Sequence, residues 1–341
     1  MIKLKKILNE IKIDGIEFLK YHGKSDKNID THYIPPRDIT TEKIKEILEN
    51  QFIKIPGYRG ISYKHAFKNA LQTLQYHLFI NPGEDFKQKS VDTNNLYYIL
   101  FENLPSWKSL YENKHRSNSI KFTNNLSEVV SEYMKFDSVL YRIYPKKDAK
   151  IFCSEYYVGF LSMPYVRKIV YNIDGPNGPN FSSAMSIISW FLSYIINYHT
   201  NLSINSEDSQ ILYDKISKIS VDNKENVENI NFENVEKYKT QYIGFGSFNR
   251  LKEYFLNNFD KYNKTHPYLD FLDDLFDPEK NGIKLVKADS TDFHNMLTDK
   301  KNIYEFWTTD ICYVEPDRYS HREDYSKLSY IMKKDKNDDE K

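Results

Sequence analysis

Three separated stretches of the sequence carry polar side chains that could form one site, and the first contains an arginine of the type that binds a pyrophosphate or a ribose. The first is Tyr58-Arg59-Gly60, in which the arginine can bind an anionic group through two parallel hydrogen bonds and the glycine lets a ligand approach the backbone. The second is a serine-containing stretch that leads to Thr123, and the third contains Glu305 near the C-terminus. A cation, a hydroxyl group and a carboxylate are thus available for one site, provided that folding brings them together.

Common cofactor and metal motifs are incomplete in this sequence. Gly244-Phe-Gly246 begins like a dinucleotide fingerprint, but Asn249 stands where the third glycine is needed. Residues 277–282 begin like a calcium loop, but Ala288 stands where a bidentate carboxylate is needed. The nine His form no metal-binding pair beside an acid, so we expect no metal. Four aspartates on neighbouring turns of one predicted helix are interpreted as a solvated acidic face: Asp270, Asp273, Asp274 and Asp277.

The composition excludes several classes of protein. Lys plus Arg and Asp plus Glu both number 48, so the net charge of zero provides no bulk field for nucleic acid, and we expect no nucleic-acid partner. Two cysteines, Cys153 and Cys312, cannot form a disulfide scaffold or a four-thiolate zinc site, and they fit a reducing compartment. Hydrophobic residues make up 40% of the chain, including 28 Tyr and 21 Phe, which is enough for a packed core.

No membrane partner is expected from the distribution of apolar residues. Residues 175–205 contain no Lys, Arg, Asp or Glu, but the strongly apolar run, 187–196, is shorter than the roughly 20 residues that a bilayer requires. We interpret this stretch as a buried helix of a large core. The first 19 residues lack the apolar segment of a secretory signal.

Helices and strands alternate among the elements that must position the candidate residues. We predict helices over 1–20 and Thr41–Gln51, the second with a threonine cap. A strand with a central turn is predicted over 52–62. The clearest strand is 138–144, and a polar turn returns the chain in a strand over 149–153, so that the two resemble a hairpin. Further predicted elements are helices over 64–80, 93–103 and 126–134 and strands over 119–123, 303–307 and 312–314.

The pattern indicates the α+β fold class and five parts of the chain. These are an N-terminal helical region, the first part of an α+β core, a mostly helical insertion, a return to the core and a charged tail: residues 1–51, 52–160, 161–300, 301–333 and 334–341. The insertion contains a polar, asparagine- and glutamate-rich excursion over 201–240.

The order of the three candidate stretches resembles the ADP-ribosyltransferase fold of the type whose motifs are an Arg, a Ser/Thr-rich strand and a Glu. It is also similar to the order in ADP-ribosyltransferase-like proteins encoded by bacteriophages. The bias toward amino acids with AT-rich codons is typical of many phages and of some low-GC bacteria. The resemblance covers about 52–160 and 300–315, and it implies a split β-sheet core with a large helical insertion. It further implies a location in the host cytoplasm or in the virion.

The resemblance implies a transferase that uses NAD as a substrate and passes ADP-ribose to an acceptor macromolecule, with a host protein as the candidate. Glu305 would stabilise the oxocarbenium-like cation that forms when the bond between nicotinamide and ribose breaks. Thr123 would hold that carboxylate by a hydrogen bond. Arg59, beside Gly60, would bind the anionic half of NAD, and Tyr58 or Tyr63 would stack on a ring.

Three features depart from the pattern of that family. Thr123 is followed by two asparagines where the family has a Ser-Thr-Ser run, so only Thr123 carries over. Ile303 stands where arginine-modifying members have Glu or Gln, which argues against an arginine acceptor. The distance in sequence from Thr123 to Glu305 requires the large insertion. Glu155, just after the strand over 149–153, is a nearer carboxylate and the second candidate for the catalytic acid.

A non-catalytic phage structural or packaged interaction protein is the alternative function. The high aromatic content, the neutral charge and the long polar excursion suit a protein that docks on a larger assembly. A single-strand nucleic-acid binder, suggested by tyrosines interleaved with basic residues over 141–146, is the weakest hypothesis because the net charge is zero. The enzyme hypothesis requires Arg59, Thr123 and either Glu305 or Glu155 to meet in one cleft. The alternative expects them to be scattered and expects a large exposed apolar patch.

Overall fold

A computed structural model of the chain describes thirteen parts of the sequence, and the statements below concern those parts. They are residues 11–22, 31–62, 78–85, 103–111, 118–129, 138–155, 163–173, 184–188, 190–192, 214, 216–218, 242–262 and 266–316. The chain forms two compact units. The first comprises 1–88, 115–157 and 285–341, and the second comprises 89–114 and 158–284.

Eleven strands and nine helices are defined within the described residues. The strands are β1 (Ile11–Ile13), β2 (Ile16–His22), β3 (Thr31–Ile34), β4 (Gly57–Ser62), β5 (Leu78–Ile80), β6 (Ile120–Thr123), β7 (Ser138–Pro145), β8 (Lys150–Ser154), β9 (Ile283–Lys287), β10 (Glu305–Thr308) and β11 (Cys312–Pro316). The helices are α1 (Thr41–Gln51), α2 (Pro82–Asp85), α3 (Pro105–Tyr111), α4 (Leu126–Glu128), α5 (Pro164–Tyr171), α6 (Tyr242–Asn257), α7 (Phe259–Tyr262), α8 (Pro267–Leu275) and α9 (Thr291–Thr298). The predicted α+β class is therefore confirmed.

The strands form one large sheet in the order β1-β2-β3-β5-β11-β7-β4-β6-β10-β8-β9. The pairs whose register is defined are antiparallel. The central ladder between β4 and β7 is the longest and runs from Gly57 opposite Ile143 to Ser62 opposite Ser138. Strands that are distant in the sequence are thus neighbours at the centre of the sheet.

The sheet must be strongly coiled, because a short connection joins strands that are far apart in its order. β10 ends at Thr308 and β11 begins at Cys312, a reach of at most about 14 Å. In the sheet order β10 and β11 are four strand spacings apart, which would be about 19 Å in a flat sheet. A coiled sheet meets both conditions. The N–H of Lys146, in the link between β7 and β8, donates to the carbonyl of Ile311 at 3.0 Å, so the two short links lie side by side.

Hydrophobic clusters pack on both faces of the sheet. Consecutive residues of β11 show the division, since Cys312 belongs to one cluster and Tyr313 to the other. The first cluster includes Phe293 of α9 and the second includes Ile47 of α1. Each helix therefore covers one face of the sheet with its apolar side.

The prediction of a helix over 1–20 is wrong for the residues from 11 onward. β1 and β2 form a hairpin there, with Ile13 opposite Ile16. The two residues between them, Asp14 and Gly15, have φ values of 53° and 76°. An Asp-Gly pair with positive φ at both positions is the preferred two-residue hairpin turn, and it outweighed the weak helical spacing. The N-terminal region over 1–51 is thus mainly sheet in its described part, with α1 as its helix.

The helix over Thr41–Gln51 is confirmed, with the same bounds. The side chain of Thr40 accepts a hydrogen bond from the N–H of Lys43 at 3.2 Å and forms the N-cap. Ile44 and Ile47 are buried at the spacing that the sequence pattern indicated. This helix is fixed by local signals.

The hairpin predicted from strands 138–144 and 149–153 is wrong, although both strands exist as β7 and β8. β7 pairs with β11 and β4, and β8 pairs with β10. Three strands lie between β7 and β8 in the sheet order, because later parts of the chain return to occupy those positions. The predicted helix over 64–80 also fails at its described end, where Leu78–Ile80 form β5.

The second unit has an aromatic core around α6. Phe255 contacts a ring of aromatic side chains at centroid distances of 5.1–6.1 Å: Phe191, Phe259, Tyr262, Tyr268 and Phe271. Phe191 belongs to the uncharged stretch, whose described residues Ala184, Met185, Ile187, Ile188 and Leu192 are buried as well. The described residues contain no helix that is long and apolar enough to span a membrane.

The predicted division into a core and an insertion differs in detail from the two units. α9, which the sequence analysis assigned to the insertion over 161–300, belongs to the first unit and packs on the sheet. Gly244 and Gly246 lie within α6, and not in a loop that could hold a phosphate. The helix predicted over 93–103, most of the polar excursion over 201–240 and the tail over 334–341 lie outside the described residues.

Candidate functional site

Four polar side chains form a row across adjacent strands of the first unit. Tyr58 of β4 lies opposite Thr123 of β6, Thr123 lies opposite Glu305 of β10, and Glu305 lies opposite Ser154 of β8. Directly opposed residues of antiparallel strands project from the same face. The three sequence-predicted residues Tyr58, Thr123 and Glu305 are therefore neighbours on one face, together with a serine that the sequence analysis did not single out.

The row is largely removed from solvent. The exposed fractions are 4% for Thr123, 9% for Glu305 and 0% for Ser154. A carboxylate in such a place interacts strongly with nearby charges and dipoles, because little water screens it. Two residues farther along β10, Trp307 is fully buried and stacks on Phe152 of β8, with ring centroids 5.9 Å apart.

Arg59 leaves β4 on the other face from this row. It lies opposite Tyr141 of β7, which belongs to the core cluster around α9. Its Nη1 donates to the carbonyl of Lys121 at 3.0 Å and so ties β4 to β6. Burial lowers the pKa of Arg59 to about 10, and the charge of Glu305 raises it in part. The guanidinium stays protonated at neutral pH within electrostatic range of the Glu305 carboxylate.

The close backbone approach in β4 occurs at Gly57 and not at Gly60. A Cβ added at Gly57 would overlap the ring of Phe122 in β6. Gly60 lies opposite Leu140 of β7 and is half-buried. The sequence predicted that Gly60 would allow a ligand to approach the backbone of this strand. The close approach is instead made at Gly57, by the core ring of Phe122. Tyr63, the second candidate for stacking, lies outside the described residues.

Glu155 stands one residue beyond β8, directly after Ser154, and is exposed. Its negative charge contributes to the raised pKa of Tyr304, after burial and the nearby Asp299. The two candidate acids therefore lie at the same end of two neighbouring strands. They differ in that Glu305 is buried in the row and Glu155 faces water.

The hydroxyl of Thr123 makes contacts that differ from the expected bond to Glu305. It donates to Oδ1 of Asn124 at 3.4 Å and accepts from the N–H of Asn125 at 3.3 Å. These bonds order the turn that follows β6. Thr123 thus adjoins Glu305 by strand pairing, while its hydroxyl organises the chain next to it.

Asn124 is a second residue of this site, besides Ser154, that was not predicted from the sequence. Its Nδ2 lies within hydrogen-bond distance of three carbonyl oxygens in the segment before β10, and its Oδ1 accepts the N–H of Tyr304 at 2.9 Å. The available signal was an asparagine at a strand end, a position where its side chain commonly bonds to nearby backbone. That signal does not name partners so distant in sequence.

The aspartates assigned to a solvated acidic face include one that is buried. The side chain of Asp274 accepts hydrogen bonds from Lys261 at 2.7 Å, from Lys280, and from Tyr262 at 2.7 Å. Burial alone would raise the pKa of Asp274, but these bonds outweigh it and lower the pKa to about 2. Two lysines neutralise this carboxylate, so it is an ionic centre within the second unit. Within the described parts, no group of three or more His, Cys, Asp or Glu could hold a metal ion.

Comparison of the chain with models of protein families, with curated proteins and with solved structures finds no match. The arrangement of side chains is therefore the basis for any functional conclusion.

Proposed function

We propose that the protein is an NAD-dependent ADP-ribosyltransferase with Glu305 as its catalytic carboxylate. The observation that carries the proposal is the row of Tyr58, Thr123 and Glu305 across β4, β6 and β10, with Arg59 adjoining Tyr58 in the chain. These residues come from three distant stretches, and strand pairing makes them neighbours. The acceptor is a macromolecule of the host, with protein as the first class to test.

The chemistry needs one carboxylate in a poorly screened position. The bond between C1′ of the ribose and the nicotinamide nitrogen breaks, and nicotinamide leaves with the bonding electron pair. Positive charge then develops on the ribose, as in glycoside cleavage. Glu305 is only 9% exposed, so its negative charge would act on that cation with little loss to water. The acceptor nucleophile forms the new bond to C1′ and releases its proton to solvent.

Arg59 supports binding of the anionic half of NAD only indirectly. Its guanidinium donates to the carbonyl of Lys121 and keeps its positive charge at neutral pH. In this role it holds β4 against β6. The strand contact maintains the register that aligns Tyr58 with Thr123. Arg59 is thus proposed as a positioning residue.

Glu305 is preferred over Glu155 as the acid because of its surroundings. Glu155 is exposed, so water screens its charge and weakens any effect on a developing cation. Glu305 has a hydroxyl residue on each side, Thr123 and Ser154, both buried. Substitution of each acid by the matching amide separates the two candidates without a change in shape.

The test is incubation of the protein with NAD labelled in its ADP-ribose part and with host lysate, followed by measurement of released nicotinamide and labelled macromolecules. We expect the wild type and Glu155→Gln to release nicotinamide at similar rates. Glu305→Gln should release it at least about 100-fold more slowly, because a preorganised charge in the transition state is lost. Thermal melting of both variants should stay close to the wild type. A Glu305→Gln protein with the wild-type rate would refute the assignment.

The same assay separates the proposal from the non-catalytic alternative. The alternative expects a wide exposed apolar patch; among the described residues the large hydrophobic side chains that are exposed are Leu19, at 40%, and Leu285, at 36%. A wild-type protein that releases no nicotinamide and labels nothing would favour an interaction protein of a phage particle.

A further inference from the structure

The side chain of Asn124 holds the segment that delivers Glu305 into the sheet. Its Nδ2 lies 3.1 Å from the carbonyl oxygen of Met296, 2.8 Å from that of Asp299 and 2.9 Å from that of Asn302. Its Oδ1 accepts the N–H of Tyr304 at 2.9 Å. Both ends of one amide are therefore used, and its contacts run from the last turn of α9 to the residue before Glu305.

The segment that Asn124 holds, residues 299–304, also contains hydrogen bonds between its own residues. The carboxylate of Asp299 accepts the N–H of Lys301 at 2.7 Å and the N–H of Asn302 at 3.2 Å. These backbone bonds lower the pKa of Asp299, and the bond from Lys301 has the largest effect. Residues 299–304 are thus a tight turn with its own internal bonds, and Asn124 fastens that turn to β6.

Asn124 and its neighbour Thr123 constrain the position of Glu305 along two directions. Along the chain, Tyr304 precedes Glu305 and its N–H is fixed by Asn124. Across the sheet, Thr123 precedes Asn124 and lies opposite Glu305. The first residue of β10 is therefore positioned by two consecutive residues at the end of β6: Thr123, through strand pairing, and Asn124, which follows the strand, through its side chain.

We propose that Asn124 is a positioning residue that fixes the Glu305 carboxylate for the transfer reaction. This inference rests on the function proposed above, in which Glu305 acts on the ribose. A carboxylate that stabilises a developing cation by its charge must be held at a fixed distance from that cation. A displacement of about 1 Å can cost about 100-fold in rate. Asn124 itself touches no reacting atom and acts through the backbone of Tyr304.

Two variants of Asn124 change different parts of this contact. Asn124→Ala removes both the donor and the acceptor. Asn124→Asp keeps the oxygen that accepts from Tyr304 but turns a carboxylate toward three carbonyl oxygens, unless it takes up a proton. We expect kcat for nicotinamide release to fall about 10- to 100-fold in Asn124→Ala, with KM for NAD within about threefold of the wild type. Asn124→Asp should lose activity at pH 8 and recover part of it toward pH 5, where the protonated acid can donate again.

A matched control exists in the second unit. Asn281 is fully buried and also uses both ends of its amide, since Nδ2 donates to the carbonyls of Leu275 and Asp277 and Oδ1 accepts the N–H of Val166. Asn281→Ala should lower the melting temperature at least as much as Asn124→Ala and leave kcat within about twofold of the wild type. An equal loss of kcat in both variants would show a general effect of stability and would overturn the proposal.

Two further measurements test the role of Asn124 even if Asn124→Ala lowers the stability of the fold. In a Glu305→Gln background, Asn124→Ala should cause no further loss of kcat, because the two residues act as one unit. Amide hydrogen exchange should quicken at Tyr304 and Glu305 in Asn124→Ala and remain unchanged in β7. Unchanged exchange at Tyr304, or equal losses with and without the Glu305 carboxylate, would overturn the role of Asn124.

The failures of the two proposals can be told apart. A wild-type protein that does not consume NAD overturns the proposed function and the role of Asn124 in it. A wild-type protein that consumes NAD, with Asn124→Ala at the wild-type kcat, overturns only the role of Asn124.

Discussion

Thr123 and Glu305 lie directly opposite each other in the antiparallel ladder of β6 and β10. They come from distant parts of the chain, and the insertion between them in sequence includes most of the second unit. Both side chains are largely buried, and their strands are the eighth and ninth of the eleven in the sheet order. The pairing therefore brings the serine-containing stretch that leads to Thr123 and the side chain of Glu305 into one local structure.

Two substitutions at Thr123 should distinguish the contribution of its hydroxyl group from that of the shape of its side chain. Thr123→Val removes the donor to Asn124 and the acceptor for Asn125, whereas Thr123→Ser keeps them. The loss should destabilise the first unit by about 1 kcal/mol, or about 2–4 °C in melting temperature. Nicotinamide release should fall about tenfold in Thr123→Val and little in Thr123→Ser. Equal rates in the two variants would show that the hydroxyl has no part in the reaction.

Substitution of Gly57 should test the close contact between β4 and β6. In Gly57→Ala the new Cβ would overlap the ring of Phe122, which is buried and packs on Phe306 at a centroid distance of 5.4 Å. Such overpacking costs about 1–3 kcal/mol, measurable as a lower urea midpoint. Gly246→Ala is the matched control, because nothing lies within 4 Å of its added Cβ and it stands within α6. That variant should be neutral or more stable, since alanine favours helix by about 0.5–1 kcal/mol. A Gly57→Ala protein as stable as the control would contradict the close packing.

The ionic centre at Asp274 should make the second unit sensitive to acid. Its pKa is about 2 in the folded protein and 3.8 for the ordinary group, so the stabilisation is fully present above about pH 4 and is lost as the pH falls toward 2. Asp274→Asn should therefore lower the free energy of unfolding at pH 7, and its difference from the wild type should shrink to less than about 0.5 kcal/mol near pH 2. We expect a loss of about 2 kcal/mol at pH 7, because the lysines are partly exposed and solvent screens them.

Asp260→Asn provides the control for that experiment, since Asp260 is exposed on α7. Its unfolding free energy should stay within about 0.5 kcal/mol of the wild type. The measurement is urea unfolding, followed by tyrosine fluorescence at several pH values. Parallel pH curves for the wild type and Asp274→Asn between pH 4 and 2 would rule out this source of acid sensitivity.

Local signals in the sequence were sufficient where an element is stabilised by its own residues. The cap at Thr40 and the apolar spacing of Ile44 and Ile47 defined α1 to the residue. The alternation in 138–144 predicted β7, and the candidate strands at 119–123 and 303–307 correspond to β6 and β10. These patterns depend on the period of helix and strand, which neighbours along the chain determine.

Local signals failed where distant segments compete for the same edge of a strand. β7 and β8 follow each other closely and look like a hairpin, but β4 and β11 take the two edges of β7. The hairpin at Asp14-Gly15 was a different kind of failure: its turn signal was present in the sequence, but the prediction followed a weak helical spacing instead. The burial of Asp274 could not be predicted either, since its lysine partners come from α7 and from beyond α8.

The sequence by itself determined the α+β class, the main strands and the residue types that the proposed chemistry uses. It determined them because periodicity, caps and composition act over a few residues. The tertiary structure alone decided that Tyr58, Thr123 and Glu305 share a row, that Arg59 leaves on the other face, and that Asn124 fastens the turn before Glu305. Those facts depend on which strands pair and in which register, and pairing is set by packing of the whole sheet between segments far apart in the chain.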